Sequence, residues 1–297
     1  MSVLFVFIDG VGVGQASDEN PLFSDKLRSF STFTKSKGLS NSCKEIFENN
    51  FLYKAIDANL DVEGLPQSGT GQTSLFTGIN ASRVIGKHFG PYPHSKIKTY
   101  LKKESLFHRA IEAGKKPHFI NAYPDIFFDK SEKKDRWSCT TLMTKSAGIP
   151  LNRQEDVINE KAVTAEIIQS AWRDMLKLDV PQIEPEEASI RIIKALEVFD
   201  LVLYEYYLTD KAGHKQSFEM ANRVLSILDR FLIGIIEHLN PNDTLVITSD
   251  HGNIEDLSVK THTRNPVPLM VMGNAKPFFE AKTILDVTPA ILNVLKD

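Results

Sequence analysis

The stretch VITSDHGNIED, residues 246–256, runs from an apolar strand directly into an acid and a histidine. The β-branched residues Val246, Ile247 and Thr248 suit a buried strand, and Gly252 marks the turn that follows. A chain that leaves a core and at once presents Asp250 and His251 sets both side chains on the rim of a sheet. In open α/β sheets the rim at the carboxyl ends of the strands is where ligands bind.

Other strands end in the same way. Asp9 follows the apolar run Val3–Ile8. Asp210 follows Leu201–Tyr207, with His214 four residues on, and His262 comes just before Pro268–Met272. Further strand candidates are Tyr53–Ala58, His118–Ala122 and Thr244–Thr248. Helical spacing of apolar residues marks Ser105–Ala113, Glu186–Val198, Ser217–Leu239 and Asp286–Leu295. Near-continuous apolar strands alternating with helices predict an α/β fold: an open, mostly parallel sheet with helices on both faces. We read one domain over residues 1–297. The segment of about 123–185 fits the alternation least well. Polar at first and then helical from about Ile158 to Lys177, it reads equally as a small lid or as a surface excursion with one helix.

Composition narrows the functional classes. With 35 basic and 38 acidic residues the net charge is −3, so no global excess points to nucleic acid or a membrane surface. Cys43 and Cys139 form no C-x-x-C pair, which argues against a disulfide framework or a thiolate zinc site. The N-terminal apolar run stops at Asp9, too short for a signal sequence or a membrane span, and no other stretch is long enough. A cytoplasmic location is the expectation.

A single acid at a strand end is often only a helix cap, and a lone histidine is often a surface residue. Three acids and three histidines gathered at strand ends, four of them in close pairs, are harder to explain as caps. Imidazole with carboxylate suits zinc, manganese or iron, and six ligands suffice for two ions with open positions. The stretch GLPQSGTGQTSLFTG, residues 64–78, supplies a nucleophile candidate in Ser68, among glycines and at the start of a predicted helix. A nucleotide-binding P-loop would need lysine after Gly69, where Thr70 stands. The run GVGVG at 10–14 reads as a turn that lets the chain pass close to a metal.

Together FIDGVGVG, QSGTGQ, TDKAGH, TSDHGN and HTRNPVP resemble the alkaline phosphatase superfamily. The resemblance is strongest to its metalloenzyme branch with cofactor-independent phosphoglycerate mutase and phosphopentomutase, and it extends to nucleotide phosphodiesterase cores. The pieces span residues 5–268 in the family's order. Gln72 departs from the pattern, standing where the mutases carry histidine. The resemblance implies two divalent cations, zinc or manganese. Asp9, Ser68, Asp250 and His251 would hold one, with Ser68 as catalytic nucleophile, and Asp210, His214 and His262 the other. It implies phosphoryl transfer through a phosphoserine on a small phosphorylated substrate.

The acceptor decides between hydrolase and mutase. The mutases carry a sizeable extra domain, whereas residues 69–209 here must also supply core elements, so the expectation is a phosphatase or phosphodiesterase, with phosphomutase as the alternative. The basic stretch 83–103 reads either as a positive approach to the site or as a solvated face. On the first reading Lys87, His88 and Tyr92 are the substrate contacts, with Arg136 and Trp137 weaker candidates. A catalytically dead metal module is disfavoured because no ligand is missing. A sulfatase is disfavoured because GTGQ after Ser68 lacks that branch's proline and arginine.

Overall fold

The computed structural model describes residues 1–296. A seven-stranded sheet forms the centre, in the order β2-β3-β9-β8-β1-β7-β4. Its strands are β1 (Val3–Ile8), β2 (Ile46–Glu48), β3 (Phe51–Ile56), β4 (Pro117–Phe119), β7 (Leu201–Tyr206), β8 (Thr244–Thr248) and β9 (Val267–Met272). β1 pairs in parallel with both β7 and β8, and β4 with β7, while β9 runs antiparallel between β8 and β3. β2 is antiparallel to β3, so the open sheet is mixed: three of its six pairings are parallel, and five of its seven strands run the same way.

Alternation along β1 explains the layers. Val3, Phe5 and Phe7 face one core, shared with Leu75, Phe76 and the C-terminal helix Val287–Val294. Leu4, Val6 and Ile8 face the other, with Phe30, Ile192 and Leu228. Both rings of the first set meet Phe76 edge-on, at 6.0 and 5.4 Å between centroids. Such edge-to-face pairs are favoured by the ring quadrupoles. The helix Phe218–His238 buries Val224, Leu225, Leu228, Phe231, Leu232 and Ile235, the stripe that its spacing predicts.

Two sequence expectations are corrected. His118–Ala122 is not one strand: β4 stays in the main sheet, while β5 (Asn121–Ala122) pairs with β6 (Val163–Thr164) in a separate two-stranded sheet. The Asn121 side chain causes the break. Its amide donates to Glu205 O and its oxygen accepts from Glu205 N, replacing ladder bonds. The expected helix from Ile158 to Lys177 does not form either. Glu160, Ile167 and Gln169 have positive φ, and only one wide turn, Ala171–Met175, is helical. Its first amides are held by the Glu166 carboxylate rather than by a preceding turn.

The remainder of 123–185 forms the helices Asp125–Lys134, Cys139–Ser146 and Gln154–Ile158. Trp137, Leu142, Met143 and Leu151 join the main core, which ties this segment to the sheet. Among the described residues no helix is long and apolar enough to cross a membrane.

Candidate metal centre and the cavity above it

Strand ends bring the predicted residues together. Asp9 leaves β1, Asp210 lies in the helix Leu208–Lys215 after β7, and Asp250 and His251 follow β8. Ser68 opens the helix Ser68–Thr77, and its Oγ lies 3.0 Å from His251 Nε2. The same Nε2 is 3.3 Å from Asp9 Oδ1 and 3.5 Å from Asp250 Oδ2. His262 Nε2 is 3.5 Å from Asp210 Oδ1 and 3.1 Å from His214 Nε2, which is itself 3.4 Å from Asp210 Oδ2. Two groups have ligand atoms mutually within 4.8 Å: Asp9, Asp250 and His251, and Asp210, His251 and His262. These are two candidate metal sites. His251 stands between them, its ring stacked on His262 at 3.8 Å, a sharing that sequence reading did not anticipate. His214 reaches the second group from a more exposed position.

The donors fit cations. Each histidine turns Nδ1 to a backbone carbonyl: His262 to Pro66 at 2.6 Å, His214 to Lys260 at 3.0 Å, His251 to Gly252 at 3.4 Å. With Nδ1–H donating outward, the Nε2 lone pairs face the centre, the arrangement that orients imidazole toward metal. Asp9 Oδ1 and both Asp250 oxygens are buried and make no hydrogen bond among the described residues. Orphaned buried carboxylate oxygens need a compensating positive charge.

Electrostatics agree. Burial, then the charges of Asp250 and Asp210, raises the Asp9 carboxyl far above the carboxylate range. Burial and the Asp210 charge push Asp250 up to about 8. Burial and the neighbouring His262 push His251 down to about 3, keeping it neutral with a free lone pair. Asp210 goes the other way. Burial opposes its ionisation, but bonds from His262 and Asn253 and the nearby His251 hold it below its ordinary value. A pair of divalent cations would reverse the penalty on Asp9 and Asp250.

Gln72, which departs from the mutase pattern, donates to Asp9 Oδ2 at 3.2 Å. Other neighbours were not singled out from sequence: Asn253 donates to Asp210 Oδ1 at 2.6 Å. Glu255 is buried beneath the loops. Oε2 accepts from the backbone N–H of Gly12 (2.9 Å) and of Asn253 (2.7 Å), and Oε1 from Asn265 Nδ2 (3.1 Å) and the Thr263 hydroxyl. One carboxylate thus joins the loops that carry Asp9, His251 and His262. The run GVGVG passes close to the centre at Gly10, which has positive φ and where a Cβ would stand 2.8 Å from Asp210 Oδ1. A Cβ on Gly12 would collide with the Glu255 carboxylate, so that second glycine admits the tie between loops.

Glu205 is the other omission. A lone acid within LVLYEYYL, it reads as a strand residue, and only its placement among apolar neighbours could have drawn notice. Its Oε2 accepts from Thr140 Oγ1 at 2.7 Å, yet burial raises its carboxyl from 4.5 to about 7. Below pH 4.5 both folded and unfolded chains hold the proton. Between 4.5 and 7 the unfolded chain releases it first, so folding stability falls as pH rises, by about 3 kcal/mol in total. Glu205→Gln is expected to raise the stability of chelator-treated protein at pH 8 and to leave it unchanged at pH 4. Urea unfolding at both values checks this, and equal midpoints at pH 8 would refute it.

A cavity of about 680 Å³ opens over Asp9, Ser68 and Asp210. Of the proposed substrate contacts, Tyr92 lines it, as does Arg136, whose guanidinium lies 4.0 Å over the Tyr92 ring. Lys87 and His88 do not. They border a different groove with Glu63, Gly64 and Gln67. His88 is engaged structurally, with Nδ1 3.1 Å from Ser82 Oγ and Nε2 3.2 Å from Val62 O. Trp137 is buried in the core under Lys145. Residues 123–136 and 171–176 wall the cavity, with Tyr123, Phe127, Trp172 and Met175 among its lining.

Comparison with known proteins gives a consistent picture. The sequence profile of the metalloenzyme superfamily matches residues 1–296. Over 126 residues the chain is 32% identical to the 2,3-bisphosphoglycerate-independent phosphoglycerate mutase of Ehrlichia canis (strain Jake), covering 39% of this chain and 25% of that relative. The match thus spans only a quarter of the mutase's length. The alkaline phosphatase of the Antarctic bacterium TAB5 superposes with a TM-score of 0.56 at 12% identity, over 99% of this chain and 97% of that one. Phosphoglycerate mutase of Leishmania mexicana gives 0.53 at 11% identity, over 99% and 95%. At these identities the structural likeness concerns the fold.

Proposed function

The chain belongs to the metalloenzyme superfamily, and on that premise we propose that it is a metal-dependent phosphoryl-transfer enzyme, a phosphatase or phosphodiesterase acting through a phosphoserine on Ser68. The observation that carries this reading is the Ser68 hydroxyl 3.0 Å from His251 Nε2, between two convergent ligand groups and at the base of an open cavity. Bound zinc or manganese would lower the pKa of the serine hydroxyl and neutralise charge on the phosphoryl oxygens.

The chain's own parts do the rest. Asp9, Asp250 and His251 hold one side of the centre and Asp210, His214 and His262 the other. Ser68 lies in the first turn of its helix, where the helix dipole favours the substrate phosphate. Its Oγ gives its proton to solvent and bonds to phosphorus as the bond to the leaving alcohol breaks, and that alcohol departs with a proton from solvent. Water then cleaves the Oγ–phosphorus bond, releasing phosphate and restoring the hydroxyl.

Hydrolysis is favoured over the mutase alternative by how residues 69–209 are used. They supply β4, β7 and helices packed on the two main cores, and beyond these only the β5–β6 pair and a small cluster of Ala122, Val157, Ala162, Trp172 and Val180. Protein reconstituted with zinc or manganese is expected to hold about two ions per chain and to lose phosphoester cleavage on chelation. Metal analysis finding none after reconstitution would overturn the reading. A panel of phosphomonoesters, diesters and phosphosugars, assayed for free phosphate and for isomerised product, separates hydrolase from mutase.

A further inference from the structure

We infer that the cavity selects phosphoesters whose alcohol carries a flat aromatic group of nucleobase size, over small sugar phosphates and lipid phosphates; this rests on the phosphohydrolase reading above. Size is the first argument. About 680 Å³ lies in the range of cavities that enclose drug-sized ligands. A phosphoester of three to five carbons would leave most of that space to water.

The walls are the second argument. Tyr92, Tyr123, Phe127 and Tyr207 all line the cavity, and all are only half-buried. Tyr123 and Phe127 stack on each other at 4.1 Å and 26° between planes, which holds both rings rigidly in the cavity wall. The Arg136 guanidinium over Tyr92 makes a second flat element. Ring and guanidinium planes of this kind take aromatic partners by stacking and by cation–π attraction. A small polyol gains no stacking from such faces and can draw only on the polar side chains between them.

An acyl chain would also find apolar surface here, at Met175 and Leu176 on the lip. Beside the rings, however, stand the exposed cations Lys130, Arg136 and Lys211. Those cations suit the electron-rich edges of a heteroaromatic ring and gain nothing from an aliphatic tail.

The test uses three esters of primary alcohols, so that leaving-group chemistry is matched: ribose 5-phosphate, adenosine 5′-monophosphate and dihexanoyl phosphatidate. With zinc- or manganese-loaded protein, kcat/KM for the adenosine ester is expected to exceed both others by about 30-fold, the worth of one base stacked on an aromatic ring. Tyr92→Ala and Phe127→Ala are each expected to cut that ratio to below about fivefold. Equal kcat/KM for the adenosine and ribose esters, preference for the lipid, or a ratio unmoved in both variants would overturn the inference. Calorimetric binding to loaded Ser68→Ala protein gives an independent readout. If no ester is turned over, the hydrolase reading falls. Tighter binding of the adenosine ester than of ribose 5-phosphate would still support the cavity's selectivity, and equal binding would refute it.

Discussion

Ser68→Ala is expected to lower turnover of any phosphoester substrate by at least about 10⁴-fold while the protein keeps its metal content, because the carboxylates and imidazoles around Ser68 are the candidate ligands and its hydroxyl is the proposed nucleophile. The hydroxyl is 3.0 Å from His251 Nε2 and sits in the first turn of a helix, where loss of one oxygen disturbs no backbone bond. The variant should therefore fold and melt like the parent. Three measurements check it: kcat by phosphate release, metal per chain by elemental analysis, and acid-stable labelling of the protein by radioactive substrate in the parent alone. Retained turnover would remove Ser68 as nucleophile. Joint loss of metal and turnover would instead make it chiefly a ligand.

The second large effect concerns a residue that touches no reacting atom. Glu255 accepts bonds from Gly12, Asn253, Thr263 and Asn265, all on loops that carry metal-centre residues. Glu255→Ala leaves several buried donors facing an empty space. The expected loss of stability is on the order of 4 kcal/mol, and metal affinity should fall about 10- to 100-fold as the loops part. Glu255→Gln should be milder, at roughly 1–2 kcal/mol. Its oxygen can still take the two backbone N–H groups, while the Thr263 hydroxyl and the Asn265 amide can turn to accept from its nitrogen. Urea unfolding and titration calorimetry with zinc test the series. An alanine variant within about 0.5 kcal/mol of the parent would show that the tie is incidental.

Strands and ligand candidates were readable for one reason. A parallel strand covered on both faces is a short apolar run, and the residue after it must lie on the sheet's rim. VITSDHGN and FIDG carry that statement locally, so Asp9, Asp250 and His251 could be placed at strand ends without coordinates, while their grouping as one ligand set came from the family resemblance. Asp210, His214 and His262 followed by the same logic. Local pattern misled where a side chain replaced backbone pairing, as Asn121 does beside Glu205, and where one carboxylate, Glu166, capped a turn in place of a helix.

The amino-acid sequence by itself determined the α/β class, the alternation that builds the two cores and the ligand residues at the strand ends, because each follows from periodicity within a few residues. Only the tertiary structure decided that His251 is shared between the two groups, that Glu205 points at the cavity and that Lys87 and His88 belong to another groove. It also decided that Glu255 knots three loops and that rings from residues 92, 123, 127 and 207 wall one space. Those facts depend on which side chains meet across long separations in the chain. Ser68 and His251 are 183 residues apart, and the packing of both cores, rather than any local preference, brings them to 3.0 Å.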